Sequence, residues 1–179
     1  MWLAEVKAKA KRKNQILFSK DSLLLNDLRQ LIAQANCRAL ILWALELAEE
    51  TVRELAERYP EYYRPQDAIA AASAWASGEI KMPIAKQAIL SCHAMAKELT
   101  APADIARCHA VGQACSVVHT VGHALGYPMY ELTAIILEQG LDDCRESVEQ
   151  RVMYYEQRLR YWMEFEKTCQ QNWAGFLKK

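Results

Sequence analysis

The sequence predicts an all-α protein: a single globular multi-helix bundle with a long C-terminal helix. Two observations carry this. Hydrophobic residues make up 52% of the 179 positions, against only 6 Gly and 5 Pro. That is the composition of a compact, loop-poor chain and not of a disordered one. The prolines and glycines also divide the chain into helix-sized pieces, while alternating β-branched runs bounded by turn pairs are missing. At this length one domain, residues 1–179, can bury a sizeable core.

The pieces follow in order. The opening, WLAEVKAKAKRKNQILFSK, carries Lys7, Lys9, Lys11, Arg12 and Lys13. With Trp2 and Leu17 as its apparent apolar face, it reads as a solvated, partly frayed helix. Ser19, Asp21 or Ser22 then offers an N-cap to a short helix ending near Gln34. CRALILWALELAEETVRELAERYP is the strongest helix, with Leu40, Trp43, Leu47, Thr51 and Leu55 on one stripe and Pro60 ending it. The next starts near Pro65, which suits a first helical turn, and stops at Gly78. Its Ala68, Ala71 and Ala72 face is small, so Trp75 is the one bulky anchor there and is expected to be buried.

Pro83 and Pro102 open two further helices. The first should turn Ile84, Ala88, Cys92, Met95 and Leu99 inward, the second Cys108, Val111, Cys115 and Val118. Pro128 is a kink or first-turn residue of the helix that Gly140 ends. The last helix is predicted to run from Leu141 to about Trp173. Asp142 and Asp143 stand near its positive N-terminal end, and Val148, Val152, Tyr155, Leu159, Trp162 and Phe165 share one face.

Charge and cysteine usage narrow the function. Lys plus Arg and Asp plus Glu number 22 each, so there is no global field to attract nucleic acid. No apolar run reaches the roughly 18 residues that span a membrane, and neither partner is expected. The six cysteines, Cys37, Cys92, Cys108, Cys115, Cys144 and Cys169, include no C-x-x-C pair, and no secretion signal is visible. They are expected to be reduced, in a cytoplasmic protein, behaving mostly as small hydrophobes.

The chemistry candidates centre on VVHTVGHALGYP, residues 117–128. On one continuous helix Cys115, His119 and His123 would stack at four-residue steps and could hold zinc. Thr120 stands where the H-E-x-x-H motif has Glu, and Gly122 interrupts the helix, so hydrogen bonding between helix ends is the preferred reading of the two histidines. His93 and His109 each follow a cysteine, but side chains one residue apart on a helix diverge by about 100° and make no Cys–His dyad. No catalytic residue, cofactor or metal is assigned.

The succession RYPEYYRPQDAIAAASAWASGEI, then SCHAMAKE, then ARCHAVGQACSVVHTVGHALG followed by Tyr127 and Tyr130, resembles the immunity-protein families of bacterial polymorphic-toxin systems. More narrowly, it is similar to an all-helical immunity-like family with an RP…AI…AR.WA.GEI segment and a later H…HA.G…Y segment. The matching residues are Arg64, Pro65, Ala68, Ile69, Trp75, Gly78, Glu79 and Ile80, then His119, His123, Ala124, Gly126 and Tyr130. The resemblance covers roughly residues 36–140, leaving 1–35 and 141–179 outside it.

It implies a stoichiometric inhibitor of a cognate toxin, acting in the cytoplasm and not an enzyme, and it supplies no toxin-binding residues. On it, Arg64, Pro65, Trp75, Gly78, His119, His123 and Tyr130 are signature residues of structure, with the two histidines at a helix junction packed against the Arg64–Trp75 segment. Two alternatives stay open: a metal-binding protein or enzyme using Cys115, His119 and His123, and a structural adaptor or homo-oligomer built on the long final helix.

Overall fold

The computed structural model describes residues 1–178, and among them are eight α-helices and no strand. They are α1 (Trp2–Lys11), α2 (Asn26–Gln34), α3 (Cys37–Arg58), α4 (Arg64–Ser77), α5 (Met82–Met95), α6 (Pro102–Ser116), α7 (Gly126–Gln139) and α8 (Arg145–Phe165). The all-α fold expected from the sequence is the one observed, including the long helix near the C-terminus.

α3 runs through the middle. The Asn36 side chain caps it by accepting from the Ala39 N–H at 2.9 Å, satisfying one of the free donors at a helix start. The predicted stripe Leu40, Trp43, Leu47, Thr51 and Leu55 is buried, each large apolar side chain contributing about 1.5–3 kcal/mol of transfer free energy. The Trp43 indole N–H donates to the Tyr155 carbonyl at 2.9 Å, joining α3 to α8.

α4 has Pro65 in its first turn and ends at Gly78, whose φ of +84° is the left-handed conformation glycine adopts without strain. The Glu79 N–H closes that end on the Ala74 carbonyl at 2.8 Å. Trp75 is buried at 6% exposure. Pro128 lies in the first turn of α7, and Gly140, at φ +87°, ends that helix.

Three expectations need correction. The N-terminal segment is not a frayed, solvated helix. Trp2 and Val6, one turn apart, are buried, as are Leu17 and Phe18; the Trp2 and Phe18 rings are 6.1 Å apart and the Trp2 indole donates to Glu149 on α8 at 2.9 Å. An apolar pair on α1 and another beyond its end together make the face that neither makes alone.

In α5, Ile84 is 57% exposed and Ala88 half-buried, while Ala85 and Ile89 take the inward positions ahead of Cys92 and Met95. One residue is about 100° of helix rotation, so a stripe started one position early misses the core at that end. α6 stops at Ser116, with a turn and the short 3₁₀ segment Val121–His123 before α7.

α8 stops at Phe165, which is exposed, and the apolar period gives way to the polar run Thr168–Asn172. The chain then turns back. The Ala174 N–H donates to the Ala76 carbonyl at 2.7 Å, and Trp173 and Leu177 are buried. Arg38 fastens this tail, with its guanidinium 5.7 Å from the Trp173 ring centre and its Nε donating to the Leu177 carbonyl at 2.7 Å.

Two networks of buried charge tie the helices together. Glu131 on α7 accepts from Arg151 Nε at 2.9 Å and Nη2 at 2.8 Å, and from the Tyr155 hydroxyl; Tyr127 and Thr51 hydroxyls meet beside it at 2.8 Å. On the other side Asp104 accepts from Arg58, from the Tyr59 hydroxyl at 2.8 Å and from Arg107 at 3.0 Å, and Arg107 continues to Glu138 at 2.6 Å. Paired in this way, buried charges avoid the heavy cost of standing alone.

Candidate functional site

All four histidines gather where α5, α6 and the α6–α7 junction meet. Because α6 ends at Ser116, Cys115, His119 and His123 do not lie along one helix face. Cys115 is fully buried in the core and its thiol is pushed up to about 12 by desolvation, while His119 is exposed. Among the described residues no three His, Cys, Asp or Glu side chains are placed to hold a metal ion.

His119 packs its ring 5.5 Å from Trp75, with Phe176 of the tail on the same indole at 5.8 Å. Its Nδ1 is hydrogen-bonded to the Thr120 hydroxyl at 2.6 Å. His123 meets His119 edge-on at 5.7 Å and bonds through Nδ1 to the Gln113 side-chain oxygen at 2.8 Å. Burial, with His119 and Lys20 nearby, lowers the His123 pKa. A Cβ at Gly126 would overlap the Gln113 side chain, so that glycine makes room for the His123–Gln113 bond.

The other signature residues are spread along α4 and α7. Arg64, opening α4, pairs with Glu98 at 2.7 Å. Gly78 sits against the returning tail, where a Cβ would stand 3.3 Å from Ala174 Cα. Tyr130 on α7 packs 5.3 Å from His109.

The closest pairing in this cluster is one that sequence reasoning did not find. His93 on α5 and His109 on α6 face each other with their Nδ1 atoms 2.9 Å apart. Gly112 lies under the His93 ring, and any Cβ there would overlap the imidazole. Desolvation, then the proximity of His109 and of His123, lowers the His93 pKa to about 4, and burial lowers that of His109. Both rings are therefore neutral at neutral pH. One Nδ1 carries the shared proton and the other accepts it. The pair borders a cleft of about 510 Å³ with Tyr130, Lys97 and Ile105 among its walls. The sequence signal for this contact is Gly112 itself, since a glycine inside an apolar helix marks a close approach.

A larger concavity, about 740 Å³, lies elsewhere, between α3, α4 and the tail. Glu46 there is already engaged by Arg158 at 2.6 Å and by the Trp162 indole at 2.7 Å.

Fold and site together define an all-helical protein in which the four histidines meet between α5, α6 and the start of α7. Residues 30–158, well over half of the chain, match the family described as Imm-5 like putative immunity protein, and the chain belongs to that family. The match extends past residues 36–140 at both ends, taking in the end of α2 and two thirds of α8. No curated protein and no solved structure matches the chain. Among the described residues no helix is long and apolar enough to cross a membrane.

Proposed function

We propose that this protein neutralises a cognate bacterial toxin by stoichiometric binding, within the cytoplasm of the cell that makes both. The observation that carries the reading is the family match over residues 30–158. A rigid helical bundle suits the task, because a surface that does not reorganise on binding loses less conformational entropy there. On this reading the chain acts by occupying the toxin and not by chemistry, and nucleic acid is not its partner. Cys115, His119 and His123 then serve the fold, as do Arg64, Pro65, Trp75, Gly78 and Tyr130.

On this reading a toxin gene stands beside this one, and the test is co-expression of the two in a host which that toxin kills. Survival, together with a 1:1 complex on size-exclusion chromatography, is the expected result. Death of the host despite abundant folded protein would overturn the reading.

A further inference from the structure

We propose that His93 and His109 form a binding site for a divalent first-row transition-metal ion such as zinc, with the two Nδ1 atoms as protein ligands and water completing the shell. The site is independent of the toxin-binding reading and uses neither His119 nor His123.

Four features of the structure lead here. First, the two Nδ1 atoms converge from adjacent helices to 2.9 Å. Tetrahedral zinc with Zn–N bonds of about 2.0–2.1 Å holds two ligand nitrogens about 3.3 Å apart. The rings now meet head-on, with centres 5.2 Å apart, so opening the pair by roughly 0.4 Å and tilting each ring by about 35°, until the two lone pairs converge, admits the ion. Second, both rings border the cleft, which gives them open space to turn into. His93 is seated on Gly112, while His109 has Tyr130 on its other side and borders the cleft. Third, the cleft of about 510 Å³ has room for the waters that fill the remaining coordination positions. Its lining cation, Lys97, is exposed, where solvent screens it. Fourth, the other histidine pair lacks this geometry: its rings meet edge-on and its Nδ1 atoms are taken by Thr120 and Gln113.

The proton balance is simple. In the empty pair one ring carries its proton on Nδ1. When the ion binds, that proton moves to Nε2 of the same ring, and both Nδ1 lone pairs become available with no net release. Imidazole nitrogens suit zinc, copper and nickel. Two protein ligands, half the number in a closed structural site, place the affinity on the order of 1–100 µM.

The experiment is calorimetric titration of the full chain with zinc chloride at neutral pH in a non-chelating buffer. Cys37→Ser and Cys169→Ser are in place, because these are the two half-exposed thiols. One equivalent of zinc should bind, with His93→Ala and His109→Ala each weakening it at least tenfold and His119→Ala leaving it unchanged. A second measurement needs no histidine variant: zinc should protect His93 and His109, but not His119, from acylation by diethyl pyrocarbonate, read by mass spectrometry. No binding, binding that survives both variants, or protection at His119 instead would overturn the proposal.

Discussion

Gly112 and His93 are the clearest case of one residue being chosen for another. With no side chain at 112 the imidazole lies directly on α6, and this sets its approach to His109. Gly112→Ala should therefore destabilise the protein by roughly 1–3 kcal/mol, as overpacking does. In a His93→Ala background the clash is gone, and the better helix propensity of alanine, worth about 1 kcal/mol, should turn the same substitution neutral or stabilising. Urea unfolding of the four proteins in this cycle measures it, and an equal loss in both backgrounds would refute the steric account. Trp75 acts differently, as bulk on a face of alanines, covered by His119 and Phe176. Trp75→Ala should cost about 3–5 kcal/mol, and an unshifted denaturation midpoint would show the indole to be dispensable.

Between helices, paired buried charges join particular residues, Glu131 on α7 to Arg151 on α8 and Arg58 on α3 to Asp104 on α6. Glu131 receives a two-nitrogen bond from Arg151 and lies beside Tyr127 and Tyr155. Glu131→Ala leaves the Arg151 guanidinium among those rings with its main counter-charge removed, and should cost about 3–5 kcal/mol. A loss below 1 kcal/mol in thermal or urea unfolding would show that Glu50, also paired with Arg151 at 2.8 Å, suffices alone. The elements themselves were legible wherever punctuation and period agreed: α3 up to Pro60, α4 between Pro65 and Gly78. They were less legible where the pattern is shared between segments. α1 needs Leu17 and Phe18 to complete its apolar face, and the tail after Phe165 has no period of its own. The His93–His109 pair was legible only as far as Gly112, which marks a close approach; which ring fills it depends on how two helices dock, and spacing within either one does not report that.

At the scale of the whole molecule, the 22 acidic and 22 basic residues give little net field, and pH acts through particular groups. Glu5 holds the N-terminal segment in place. Burial alone would raise its pKa, but hydrogen bonds from Ser22 and Lys9, the Lys9 charge and the Leu23 N–H outweigh it, and the pKa is lowered. A carboxylate lowered in the fold contributes stability above its unfolded value, about 4.3, and loses it as the pH falls through the folded value. Glu5→Gln should therefore flatten the acid limb of the stability profile between about pH 5 and pH 2. Urea midpoints measured across that range test this, and an unchanged slope would exclude Glu5 as a contributor. The tail has a different kind of consequence. The family match ends at residue 158, yet Phe176 covers Trp75, and Trp173 and Leu177 sit in the core beyond it. The family match and the packed core thus have different borders in this chain. A fragment trimmed to residues 30–158 would keep every signature residue and still bare the side of Trp75 that Phe176 covers, so its solubility would say nothing about the family and much about the segments removed.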